Sequence, residues 1–448
     1  MKKDLTQGKV QKTLLVFAGP MIVGNLLQQC YNIADTLIVG RYLGAGALAA
    51  VGTAYSLMTF LTSILIGLCM GCGSIFSYYY GKKDDGKMQE SMFTSFLFVG
   101  VIAIVMNVTV FAGIDVILKM LQIPADIYGI MKEYTWVVFW GIFFVFLYNF
   151  FVFLLRAVGN SLTPLLFLGA ASVLNIVLDL LFVVSFDMGV SGAAWATVSA
   201  QMLAGIGISV YTWVKEPSLR FFRVNKRKSS NERWRRMKAS LPEVMRFSLA
   251  ASIQQSVMNF GILMIQGLVN SFGTSVMAAF AGVKIDTLAY MPAQEFSNSF
   301  SIFTSQNSGA GDKKRVREGV RTSVKLSISF CLVVSVLIFI FAKYLMMIFV
   351  HPEETEIIRI GVEYLRIEGS FYCGIGLLFL FYAYYRGIGK PEMSVVLTVI
   401  SLGTRVALSY ALAPILGVRV IWWSIPIGWA LADLTGGVYM KKLVKKSK

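Results

Sequence analysis

The sequence predicts an all-α integral membrane protein: twelve transmembrane helices in two pseudo-symmetric six-helix bundles. Composition, the spacing of apolar stretches and an internal repeat each point there. Of 448 residues, 56% are hydrophobic and 15% charged, and the mean hydropathy is +0.68, far from the balance of a soluble domain. Apolar stretches recur at 13–37, 47–73, 92–118, 132–155, 163–186 and 192–214, then at 241–270, 276–305, 321–348, 361–385, 393–415 and 418–440. Each reaches the roughly 20 residues that a helix needs to cross the hydrocarbon core. Helices are required, because open strand edges leave backbone groups unsatisfied in lipid and the alternating pattern of a barrel is absent.

The repeat divides the twelve stretches into six and six. Arg156-Ala157-Val158-Gly159 returns 230 residues later as Arg386-Gly387-Ile388-Gly389, and Ala49-Ala50-Val51-Gly52 returns at the same offset as Ala279-Phe280-Ala281-Gly282. Ser74-Ile75-Phe76-Ser77 returns as Ser301-Ile302-Phe303-Thr304. Duplicated lobes that rock about a central site are the usual architecture of secondary transporters. The expected division is a first lobe over 1–214, a basic linker over 215–240 and a second lobe over 241–448.

A formal net charge of +17 raises the question of nucleic acid, but the distribution answers it. With the N-terminus inside, the cytoplasmic segments hold 32 of the 41 Lys and Arg. That is the positive-inside asymmetry of an even number of spans with both termini in the cytoplasm. The linker sets ten basic residues against Glu216 and Glu232, a composition suited to lipid headgroups. The start, Met1-Lys2-Lys3-Asp4, leads into the first span without a signal-peptide cleavage pattern.

Several chemistries are excluded. Five cysteines in apolar spans and one histidine make neither a disulfide framework nor a zinc site. No Gly-x-x-x-x-Gly-Lys-Ser/Thr motif occurs, so the chain does not itself consume ATP. Uphill transport must therefore draw on an ion gradient. No nucleophile stands with a base, so an enzyme is not expected, nor is a cofactor or a metal beyond a possible Na⁺.

The acids inside the spans are the informative residues, because an ionised Asp near a helix centre costs about 2.5–3.5 kcal/mol on insertion scales. Asp35 lies toward the outer end of the first span and Asp179 in the outer part of the fifth. Tyr31 and Asn175 precede them by four residues each and so share their helical faces. Thr197 enters from the outer end of the sixth span. Counted from the outer helix ends, all three elements reach a similar depth, about 3–11 Å below the surface at 1.5 Å per residue. Such oxygens suit a proton or a small cation.

The second lobe does not repeat these acids. The offset carries Asp35 onto Met264 or Ile265, Asp179 onto Ser409 and Asn175 onto Arg405, which assigns the first-lobe acids to function rather than scaffold. Arg405 puts a fixed positive charge where the first lobe has an amide, which argues against a second cation site. Lys284, Asp286 and Glu295 in the eighth span and Asp433 in the twelfth are further intramembrane charges. Asp286 with Arg405 is compatible with a structural pair or a substrate contact, and Glu295 with attraction of a cationic substrate or a structural charge. Pro20 removes an amide hydrogen and favours a bend in the first span, either a moving joint or a fixed packing kink.

Pro20, the run Gln28-Gln29-Cys30-Tyr31-Asn32-Ile33-Ala34-Asp35, the run Asn175-Ile176-Val177-Leu178-Asp179 and Thr197, within six plus six spans, resemble the multidrug and toxic compound extrusion (MATE) family. The likeness covers essentially the whole chain. It implies two bundles around a central cavity, efflux of cationic or amphiphilic compounds and drive by inward H⁺ or Na⁺. By that likeness Asp35 and Asp179 titrate or bind the cation, with Tyr31, Asn175 and Thr197 in their hydrogen-bond network. The seventh span has only Glu243 at its start, before Arg246, which is closer to DinF-like members whose coupling rests in the first lobe. The expected protein is a monomeric antiporter of the cell membrane, with small organic cations or amphiphiles and membrane lipids as partners. A flippase for lipids or lipid-linked oligosaccharides is the alternative.

Overall fold

The computed structural model describes residues 3–120, 125–221, 230–280 and 282–446, among which no strand occurs. Eight helices are long and apolar enough to span a membrane: Val10–Gly44, Gly46–Lys82, Asp85–Lys119, Leu162–Ser185, Gly189–Lys215, Trp234–Asn270, Lys313–Met346 and Pro391–Leu416. Two more spans are broken helices, Ile127–Phe139 with Ile142–Ala157 bent by 44° and Thr355–Gly369 with Tyr372–Gly387 bent by 50°. Gly282–Gly309 and Arg419–Lys446, of 28 residues each, are long enough at about 1.5 Å per residue to cross the roughly 30 Å core. They complete the twelve, numbered here as spans 1 to 12 in chain order.

The duplication is written into the backbone. Gly44 (φ 84°) and Gly273 (φ 96°) break the chain after the outer part of spans 1 and 7, while Gly159 (φ 83°) and Gly389 (φ 81°) close the turns after spans 4 and 10. These left-handed conformations favour glycine. The two bends, before Ile142 and before Tyr372, also stand 230 residues apart.

Two compact units result, Met1–Asp4 with Gly19–Ser252 and Leu5–Ala18 with Ile253–Lys448. The first is built on a phenylalanine-rich core in which Phe76 and Phe150 meet edge to face at 5.8 Å. In the second, Trp422 packs on Tyr364 at 4.8 Å and stacks on Phe280 at 5.8 Å. These boundaries differ from a division at 215–240. Much of that basic linker, 222–229, lies outside the described residues. The beginning of span 7 belongs to the first unit: Arg236 pairs with Glu90 at 2.7 Å, Ser240 meets Thr94 at 2.7 Å, and Tyr79 donates to Glu243 at 2.7 Å.

Farther along, spans 2 and 7 cross with no side chain between them. A Cβ on Gly67 would lie 2.5 Å from Ser252 Cα, and one on Gly71 would strike the Phe247 carbonyl, while the Ser252 hydroxyl donates to the Ile64 carbonyl at 3.1 Å. Small residues one turn apart permit such close helix approach in lipid. Gly71→Val is expected to destabilise the protein by about 1–3 kcal/mol, read as a lowered thermal midpoint in detergent.

The opposite exchange occurs at the N-terminus. Lys3 donates its amide to the Gly159 carbonyl within the first unit. Leu5, fully buried, belongs to the second, where its amide donates to Gln306 Oε1 and its carbonyl accepts from Asn307 and Arg315. Arg315 also donates to the carbonyls of Gln7 and Gly8, both at 2.7 Å. Arg315→Ala therefore removes several charge-assisted hydrogen bonds and is expected to expose residues 5–9 to limited proteolysis at least several-fold faster. Span 1 changes units at Gly19, one residue before Pro20, and its helix continues through that proline to Gly44.

Candidate cation-coupling site

Asp35, Asn175 and Asp179 come together inside the first unit. Asp179 is fully buried and Asn175 is 2% exposed, whereas Asp35 is partly buried. The carboxyl groups of Asp35 and Asp179 act on one another electrostatically. Yet Asp35 Oδ1, both Asp179 carboxyl oxygens and both polar atoms of the Asn175 amide have no hydrogen-bond partner. The local backbone explains part of this. Asp179 ends a regular α-helix at Leu162–Asp179, and the chain continues as one wider π turn, Leu180–Ser185, a form that often marks functional positions in helices.

Two unit charges about 4 Å apart repel by about 4 kcal/mol at an effective dielectric of 20. Two facing carboxylates without a donor are therefore stable only with a proton or a cation between them. Asn175 Oδ1 offers a third oxygen, and its Nδ2 a donor, to whatever occupies the pair.

Tyrosines surround this group. Tyr31 lies within electrostatic reach of Asp35, Tyr55 and Tyr148, and its hydroxyl interacts with Gln28. Tyr134, 6% exposed, lies within reach of Asp35, Asp179, Tyr31 and Tyr55, and Asn32 donates to the Tyr55 hydroxyl at 3.3 Å. Neither Tyr55 nor Tyr134 is singled out by the sequence, although Tyr134 opens the fourth apolar stretch. Thr197 donates its hydroxyl to the Ala193 carbonyl of its own helix at 3.1 Å, which leaves its oxygen only acceptor capacity.

The helix ends lie farther from Asp35 and Thr197 than the ends of the apolar stretches do. Span 1 continues to Gly44 rather than ending near 37, so Asp35 lies nine residues from its end, and Thr197 lies eight from the start of span 6 at Gly189. At 1.5 Å per residue these separations are about 12–14 Å.

A second cluster of charge lies in the second unit. Asp286 and Glu368, each 3% exposed, sit within electrostatic reach of each other and of Arg405, beside Tyr364 and Tyr372. Asp286 and Arg405 thus share a neighbourhood, as their depth suggests, without closing an ion pair. Glu368 was missed by sequence reasoning, although it lies inside the stretch 361–385, four residues from both Tyr364 and Tyr372.

Glu295 is engaged elsewhere. Asn298 donates to Glu295 Oε1 at 3.2 Å and accepts from buried Arg386 at 3.2 Å, and Arg386 also donates to Ser301 at 3.1 Å. The side chain of Lys284 lies outside the described residues, and one carboxyl oxygen of Asp433 is buried without a partner.

Known proteins share this architecture. The MatE family profile matches twice, at residues 20–181 and again at 250–411, so the two matched segments begin 230 residues apart. The chain is 33% identical to "Probable multidrug resistance protein YpnP" of Bacillus subtilis, over 89% of this chain and 87% of that protein. It is 25% identical to "Probable multidrug resistance protein NorM" of Thermotoga maritima, over 88% and 84%. A solved structure, "Outward-facing conformation of a multidrug resistance MATE family transporter of the MOP superfamily", superposes with a TM-score of 0.89 at 23% identity, over 99% of this chain and 98% of that one. With the profile covering both halves and its relatives described as multidrug transporters, this multi-pass membrane protein belongs to the MatE family of multidrug efflux transporters.

Proposed function

We propose that the protein is a secondary antiporter that exports organic cations or amphiphilic compounds while H⁺ or Na⁺ enters and loads between Asp35 and Asp179. The observation that carries this reading is the cluster of unpartnered polar atoms on Asp35, Asn175 and Asp179. An uncompensated acid pair is too costly to retain in a membrane for packing alone. A co-transported cation supplies the missing charge and is released when the pair meets the other side. Exchange follows if the loaded ion and the organic substrate favour opposite-facing states, each shifting the balance that the other sets. The charge asymmetry of the loops supports an orientation with both termini in the cytoplasm.

Proteoliposomes loaded with a fluorescent organic cation test this directly. An imposed pH gradient or an imposed Na⁺ gradient, applied separately, is expected to drive substrate movement, and the effective one identifies the ion. Substrate movement indifferent to both gradients overturns the reading, as does translocation of labelled lipid without any organic-cation transport.

A further inference from the structure

The second unit faces the same electrostatic problem as the first and meets it differently. Asp286 and Glu368 are buried together. Four polar atoms around them lack a hydrogen-bond partner: Asp286 Oδ1, Glu368 Oε2, the Tyr372 hydroxyl and Arg405 Nε. Among the described residues, Tyr290 and Tyr364 are further titratable groups in reach. Arg405 stands 230 positions after Asn175, so where the first unit presents an amide to its acid pair, the second presents a guanidinium. A guanidinium stays protonated at any working pH and cannot dissociate from the chain.

We propose that Arg405 is a tethered counter-ion: it supplies from the chain the positive charge that a dissociable metal cation would otherwise bring to Asp286 and Glu368. Two carboxylates and one guanidinium carry a net charge of −1, and one proton shared by the acids makes the cluster neutral. Na⁺ entering the same cluster would meet the fixed charge of Arg405, a repulsion of several kcal/mol at contact distance. The second unit thus takes no Na⁺. This assignment does not depend on the first unit's role.

The test uses the full-length protein with Asp35→Asn and Asp179→Asn, so that the first cluster contributes nothing. Thermal unfolding in detergent is followed as NaCl replaces choline chloride at constant ionic strength, alongside binding of radioactive Na⁺. With Arg405 present, no Na⁺-specific shift and no bound Na⁺ are expected. Adding Arg405→Gln is expected to create a saturable rise in the melting temperature of about 2–4 °C, lost again on further Glu368→Gln. Arg405→Lys, which keeps the charge, is expected to remain unresponsive. Stoichiometric Na⁺ binding with Arg405 in place that vanishes with Glu368→Gln overturns the proposal, and so does a folded Arg405→Gln variant that gains no Na⁺ response. If Arg405→Gln does not fold, the Na⁺-binding measurement with Arg405 in place decides alone.

Discussion

Asp179→Asn and Asp35→Asn are each expected to abolish gradient-driven efflux while leaving the protein folded. The two losses have one cause, because the acids face each other with too few donors to satisfy them. Replacing either carboxylate with an amide supplies a permanent donor to the other and removes the repulsion that a cation relieves. The pair then has no reason to load or release an ion. Stability should move in the opposite direction from activity. Asp179 is fully buried, and removing an ionisable group from such a place lifts part of an insertion cost of about 2.5–3.5 kcal/mol, so Asp179→Asn is expected to melt no lower than the parent. Passive, gradient-independent binding of substrate should persist. The measurement is efflux from proteoliposomes under the effective gradient, paired with thermal unfolding of the same preparations. Full gradient-driven efflux in both variants removes the first-unit pair from the mechanism.

Most of the fold is legible in the sequence for a physical reason. A helix in hydrocarbon must be apolar over about 20 residues, and the lipid leaves no other backbone solution. The 230-residue repeat is legible too, through Arg156 and Arg386 and through the glycines that close their turns. What hydropathy does not carry is where a helix ends when a backbone conformation ends it. The first span reads as 13–37 because polar residues such as Arg41 follow, but the helix persists until Gly44 adopts a left-handed conformation. The bend before Ile142 falls inside an unbroken apolar run, with no proline to announce it. The crossing of residues 5–18 and 230–252 between units is invisible locally, since it rests on contacts such as Leu5 with Gln306 and Ser252 with Ile64.

The site divides in the same manner. Asp35 and Asp179 stand out because charge in lipid is costly, and their i−4 partners follow from helical geometry. Tyr55 and Tyr134 do not, because a tyrosine in a membrane span is common and only three-dimensional proximity distinguishes these two. Glu368 escaped attention because Glu363 and Arg366 beside it make the start of span 10 read as a polar flank, while the fold buries one of the three. Glu295, an intramembrane acid that the sequence offers as either a substrate or a structural charge, is held in the structure in a hydrogen-bonded chain with Asn298 and Arg386.

That chain supports the second large effect, a collapse of stability on Arg386→Ala. Arg386 is 3% exposed and donates to Ser301 and Asn298, while its charge is opposed by Glu295. Truncating it removes a positive charge that acts on buried Glu295 and leaves two acceptors without that donor, and each buried polar group left unsatisfied costs about 1–3 kcal/mol. The variant is therefore expected to express poorly and to lose most of its folded fraction. Removing both charges, as Glu295→Gln with Arg386→Gln, leaves hydrogen-bonding groups but no unpaired ion. The double variant should recover at least half of the lost thermal stability, the mark of a coupled pair. If Glu295 served substrate instead, Glu295→Gln alone would lower efflux with no change in melting, and the double variant would be no more stable than Arg386→Gln. Thermal unfolding of the four proteins in one detergent separates the two cases.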